Sequence, residues 1–152
     1  MGFTMNVCVV FVLTCLISTS GRVRVGHLNG TTYYVTTVPR PFNLTEANDI
    51  CKEYGGYLWE ADNDAELRFV STSVNRIYYR DHFYIGANDV ENEGTFVYFN
   101  SGKPMLPNRW TRNNPSNSGD NEDCVELISY SRAFNDVPCQ LDLCFVCERE
   151  YY

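Results

Sequence analysis

The chain has 152 residues, seven of them cysteine, and a formal net charge of −7. An acidic chain without an offsetting basic cluster carries the wrong sign to neutralise phosphates, which excludes nucleic acid as the expected partner. What remains is a protein with about one domain's worth of chain, whose acidity fits either a solvated surface or one that holds cations.

The first segment reads as a leader. Val7 to Ile17 is an apolar run too short to cross a hydrocarbon core of about 30 Å as a helix, and it ends in the small residues Ser18-Thr19-Ser20. That pattern predicts a secretory signal peptide over residues 1–20. With no second such run, the product is expected to be secreted and extracellular, without a membrane span. Residues 21–32 read as an N-terminal segment and 33–150 as the domain. Cys8 and Cys15 fall in the leader, which leaves Cys51, Cys124, Cys139, Cys144 and Cys147. In an oxidising compartment these are expected in disulfides rather than on a metal. Five is odd, so one thiol is left unpaired or joins a second chain. Asn29-Gly-Thr31 and Asn43-Leu-Thr45 are glycan sequons in keeping with secretion.

Tyr33 to Val38 is β-branched and aromatic and predicts a strand. Asn43, with Glu46 three residues later, predicts a capped helix through Ala47, Ile50, Cys51 and Tyr54, ended by Gly55-Gly56. A glycan on Asn43 is expected to conflict with that cap. Asn63 and Glu66 repeat the capping pattern, and Leu67, Val70, Val74 and Ile77 then fall at helical spacing as core residues. Phe83 to Gly86 and Thr95 to Phe99 read as strands, as do Cys124 to Ile128 and Phe145 to Cys147. The fold class expected from two helices followed by short strands is α+β.

Between Gly102 and Asp123 runs a long segment rich in Asn, Pro, Ser and Gly. Ordered loops of more than about 12 to 15 residues are usually functional, and Trp110, Pro115 and Cys124 pin this one. It is dense in hard oxygen donors. Asn114, Ser116 and Glu122, with Asn135 and Asp136 further on, supply the carboxylate, amide and hydroxyl oxygens that a cation such as calcium takes.

In order and spacing, several landmarks resemble a C-type lectin-like domain over roughly residues 33 to 148. They are Cys51, Phe83-Tyr-Ile-Gly86, Glu93-Gly-Thr-Phe96, Trp110, Glu122-Asp-Cys124, Asn135-Asp136 and the Cys139 to Cys147 spacing. The resemblance implies that family's fold, two helices and antiparallel strands around a long calcium-binding loop. It implies disulfides Cys51–Cys147 and Cys124–Cys139, with Cys144 left unpaired or intermolecular and a homodimer through Cys144 as one outcome. It also implies a cis peptide at Pro115, and a calcium shared between protein and carbohydrate at Asn114, Ser116, Glu122, Asn135 and Asp136. A second calcium maps onto Asp89, Glu93, Asn117 and Asp123.

The triplet departs from the family. Mannose-type members read Glu-Pro-Asn and galactose-type members Gln-Pro-Asp, whereas this chain has Asn114-Pro115-Ser116, so no sugar preference carries over. The following loop holds no aromatic ring to stack on a sugar, which leaves Phe134 or Tyr130 to approach from another side. His27 and His82 are the only histidines, and no nucleophile–histidine constellation is visible by spacing; no enzymatic reaction is expected. The competing expectation is a lectin-like fold that binds protein or another surface without sugar.

Overall fold

The computed structural model describes residues 21–36, 43–78 and 81–151. The expected leader, and Thr37 and Val38 of the first expected strand, lie outside them. Among the described residues, eight strands and two helices follow in the order β1 (Arg22–Leu28), β2 (Thr31–Thr36), α1 (Leu44–Glu53), β3 (Tyr57–Leu58), α2 (Asp64–Ile77), β4 (His82–Asn88), β5 (Val97–Tyr98), β6 (Cys124–Ile128), β7 (Ala133–Val137) and β8 (Cys144–Glu150). A single 3-10 turn at Ser118–Asp120 interrupts the long loop.

Both helices start where side-chain caps place them. Asn43 Oδ1 accepts the Glu46 N–H at 2.9 Å, and Asn63 Oδ1 accepts the amides of Ala65 and Glu66, satisfying N–H groups that a first helical turn leaves open. The Asn43 cap uses only the carbonyl oxygen, and a glycan attaches to the amide nitrogen, so the expected conflict between cap and sugar does not arise. On α2, Leu67, Val70 and Val74 are buried, but Ile77 is 39 % exposed. Ile77 is the last helical residue, and its exposure corrects its expected place in the core.

The sheet runs β1-β2-β8-β4-β6-β7, with β3 paired to β8 and β5 to β4. All pairs are antiparallel except β4 with β8, which is parallel through Phe83↔Cys144 and Tyr84↔Phe145. The sheet is therefore mixed rather than wholly antiparallel, because β8 enters between β2 and β4 and runs antiparallel to β2. The N-terminal segment 21–32 carries β1, the turn at Asn29-Gly30 and the first two residues of β2, with which β1 forms a hairpin.

Alternation along β8 divides the interior in two. Cys144 and Val146 join a cluster with α2's Leu67, Val70 and Val74. Phe145 and Cys147 join the other, with α1's Ala47 and Cys51. Cys51–Cys147 fastens α1 to β8, and Cys124–Cys139 ties β6 to the segment after β7. Cys144 is 7 % exposed and is itself disulfide-bonded. That bond corrects the expectation of an unpaired thiol at Cys144; a homodimer through Cys144 stays a proposal.

Gly86 shows how tightly the centre is drawn. A Cβ there would sit 2.8 Å from the Leu58 carbonyl oxygen, while the Gly86 N–H donates to Trp59 O and its carbonyl accepts from Phe99. Buried acids tie loops to this centre. Glu60 Oε1 accepts the amides of Asn100 and Ser101, each at 2.9 Å, and Glu148 Oε1 accepts the Glu60 N–H. Burial, reinforced by the neighbouring Glu66, Asp62 and Glu60, pushes the Glu148 carboxyl up to about 9.

Candidate functional site

The long loop is pinned to β7 at its middle. Phe134 N–H donates to Arg109 O at 2.7 Å and Thr111 N–H to Phe134 O at 2.8 Å, which sets Trp110 beside β7. The Trp110 ring meets Phe96 edge-on with centroids 4.7 Å apart. The Arg109 guanidinium grips the Asp64 carboxylate at the start of α2 through two nitrogens. Beyond this anchor the loop bends through Asn113, Asn117 and Asp120, all in the left-handed region, which Asn and Asp tolerate better than other side-chain-bearing residues. The Asn114–Pro115 bond is cis.

The bend lies against β7. Asp136 Oδ2 accepts the backbone N–H of Ser116 at 2.7 Å and of Asn117 at 2.6 Å. Glu122 Oε2 accepts the Ser116 hydroxyl at 2.9 Å and the Ser118 N–H at 2.6 Å. Asn114 Nδ2 donates to Thr111 Oγ1 at 2.5 Å and to Asn135 Oδ1. Asn114, Ser116, Glu122, Asn135 and Asp136 thus stand together, Asn135 and Asp136 carried by β7. Ser116 is exposed and Asp136 fully buried, so the group opens to solvent on the Ser116 side.

A second group lies alongside. Ligand oxygens of Asp89, Glu93 and Asp123 all fall within 4.8 Å of one another. Gly94, at φ +76, turns its N–H onto Asp89 Oδ2 at 2.7 Å, and the Asp89 N–H donates to Asp123 O. Burial, with repulsion from Asp123 and Asp136, holds the Asp89 carboxyl above its ordinary range. Desolvation and then Asp89 and Asp123 do the same to Glu93. Asn117 stands between the two groups. Its Oδ1 accepts the Glu122 N–H at 3.2 Å and its amide hydrogen-bonds Glu93, so it offers the acid cluster a hydrogen bond rather than an oxygen.

One oxygen in each group has no partner. Asp136 Oδ1 and Asp89 Oδ1 are buried with no hydrogen bond, a costly arrangement for a carboxylate. A cation supplies what such an oxygen lacks, and the surrounding donors are the hard oxygens that calcium takes. The residues present therefore fit a calcium ion.

Of the two aromatic residues expected as sugar platforms, Phe134 is fully buried because it faces the core from β7; it cannot meet a ligand. Tyr130 is 48 % exposed and its ring lies 6.4 Å from that of His82. Sequence reading missed Glu126, which sits directly across from Asn135 in the β6–β7 register and accepts the Asn135 amide at 3.0 Å. An acid inside the otherwise apolar strand Cys124–Ile128 was the available signal.

Comparison with known proteins places residues 40–149 in a match to the family described as Lectin C-type domain. Collectin-11 of Danio rerio is 40 % identical over 103 residues, covering 68 % of this chain and 37 % of that protein. Collectin-10 of Gallus gallus is 35 % identical over 120 residues, covering 76 % and 40 %. The chain thus spans about two fifths of the length of these relatives. Among solved structures, the mouse scavenger receptor C-type lectin carbohydrate-recognition domain superposes with a TM-score of 0.73 at 24 % identity, over 84 % of this chain and 95 % of that one.

Proposed function

Since this chain belongs to the C-type lectin domain family, whose members bind carbohydrate and are not enzymes, we propose that it is a calcium-dependent carbohydrate-binding protein. One observation carries the reading. Asp136 is wholly buried, spends one oxygen on the two amides that follow Pro115, and keeps the other without a partner.

In this reading Asn114, Ser116, Glu122, Asn135 and Asp136 hold the shared calcium. The ion, when bound, offers coordination positions to vicinal hydroxyls of a sugar. The chain's own part is to hold those oxygens in place and to hydrogen-bond the same hydroxyls. The second calcium falls to Asp89, Glu93 and Asp123, with Asn117 steadying Glu93 and Glu122. Secretion is part of the proposal: Cys51–Cys147 and Cys124–Cys139 suit an oxidising compartment. So is glycosylation at Asn29 and Asn43, both exposed. Retention on a sugar resin, or a glycan array read with calcium and with chelator, tests the function.

A second reading has its own observation. The Ser116 hydroxyl already donates to Glu122, and the Asn114 amide to Asn135, so part of the site is satisfied without an ion. That favours a lectin-like module that binds protein or another surface without sugar. Calcium calorimetry separates the two, because only the first reading requires an exothermic or endothermic titration that chelator abolishes.

A further inference from the structure

We propose that Glu126 is the positioning residue that orients the Asn135 amide at the calcium site, with His82 bracing Glu126 from the next strand; this deepens the reading just given and rests on it. The three side chains form a row across β4, β6 and β7. Glu126 faces Asn135 in register, and the β4 register puts Tyr84 across from Glu126 and His82 two residues before it. Glu126 Oε1 lies 3.0 Å from both Asn135 Nδ2 and His82 Nδ1.

The chemistry of an amide makes the row matter. Asn135 has an oxygen end that can ligate a cation and a nitrogen end that cannot. An ionised carboxylate only accepts hydrogen bonds, so Glu126 can face only the nitrogen. Holding Nδ2 against Glu126 turns Oδ1 the other way, toward Asn114 and the cluster that includes Asp136. Nδ2 carries two hydrogens, and the one Glu126 does not take remains for a hydroxyl of the ligand.

Glu126 is 4 % exposed and sits between Val125 and Leu127, so an unpartnered charge there would be expensive. His82 is half-buried and supplies the second partner. The hydrogen bond to Glu126 raises the His82 pKa, with Asp81 adding to it and burial opposing. The row is a built arrangement on which the Asn114 contact to Asn135 Oδ1 depends, and Asp136 makes its own contacts to Ser116 and Asn117 without it.

The test is calcium calorimetry on the full chain, with thermal melting in chelator beside it. Groups that orient metal ligands typically cost about 10- to 100-fold in affinity when lost. Glu126→Leu, which cannot accept, is expected to weaken calcium binding by about tenfold or more, while Glu126→Gln, which keeps a carbonyl oxygen for Asn135 and His82, restores most of it. A purely structural Glu126 would lower the melting temperature of Glu126→Leu and leave its calcium affinity unchanged, and that result overturns the inference. Wild type that binds no calcium overturns the inference together with the functional reading beneath it. Should Glu126→Leu not fold, a swap decides. Asn135→Asp alone sets two carboxylates against each other and weakens binding, whereas Asn135→Asp with Glu126→Gln recovers it by reversing the hydrogen bond. Equal affinity in the single and double variants overturns the inference.

Discussion

Asp136 accepts the backbone N–H of Ser116 at 2.7 Å, so an acid on a strand holds the loop beyond the cis proline in shape. The same carboxylate has a buried oxygen with nothing to bind. Replacing Asp136 by Asn should separate these two roles. The side-chain carbonyl can still take the Ser116 and Asn117 amides, while the charge offered to calcium is gone. Titration calorimetry of Asp136→Asn should show calcium affinity down by about tenfold or more, worth about 1.4 kcal/mol or more, with the melting temperature in chelator unchanged or raised.

Acidification should weaken calcium binding at the Asp89–Glu93–Asp123 group. Without an ion, Asp89 and Glu93 hold their protons above the ordinary carboxylate range, through desolvation first and repulsion from neighbouring acids second. Calcium needs both ionised, so it must displace protons, and the competition grows as pH falls. Affinity measured from pH 7.5 downward should start to drop above the usual carboxylate value of about 4. Asp89→Asn should flatten that drop as well as lower the affinity.

Glu148 makes the opposite kind of statement, about stability. Its carboxyl is pushed up to about 9 in the fold, chiefly by burial, against about 4.3 in an unfolded chain. Between those values the folded state binds a proton that the unfolded state does not, so stability falls as pH rises through this window. Glu148→Gln keeps an acceptor for the Glu60 N–H and removes the charge. In chelator, denaturant melts should show this variant more stable than wild type at pH 8, on the order of 1–3 kcal/mol, with the gap closing toward pH 5.

The two disulfides should differ in what their loss does. Cys51–Cys147 spans a separation of 96 residues, and the chain-entropy model gives its removal a cost of about 4 to 5 kcal/mol. Cys124–Cys139 spans 15, about 3 kcal/mol in the same model, yet it closes the hairpin of β6 and β7 that carries Glu126, Asn135 and Asp136. Paired Cys→Ser variants, melted and then titrated with calcium while folded, should show the first change lowering stability alone and the second lowering stability and calcium affinity together.

Much of this fold is legible in the chain. Asn43 with Glu46, and Asn63 with Glu66, mark both helix starts because capping is a local interaction. Cys124 to Ile128 reads as a strand and is one. The loop from Gly102 to Asp123 announces itself by composition, and the residues it brings together with β7 are those that the family resemblance implies. What the chain conceals is set by distant partners. Asn29-Gly30 reads as part of a sequon, yet it also turns the β1–β2 hairpin, Asn29 at φ +48 and Gly30 at φ +88. Ile77 keeps helical spacing with Val70 and Val74, but spacing does not say where along a helix burial ends. Glu126 acquires its meaning only through register with Asn135, which no pattern local to β6 contains.

Retention of the full chain on immobilised sugars, assayed over a panel in millimolar calcium and again in chelator, bears most directly on the central claim. Retention by at least one sugar that is lost in chelator, and lost equally in Asp136→Ala with calcium present, is the predicted result. A sugar retained equally well in chelator and by Asp136→Ala would contradict the account.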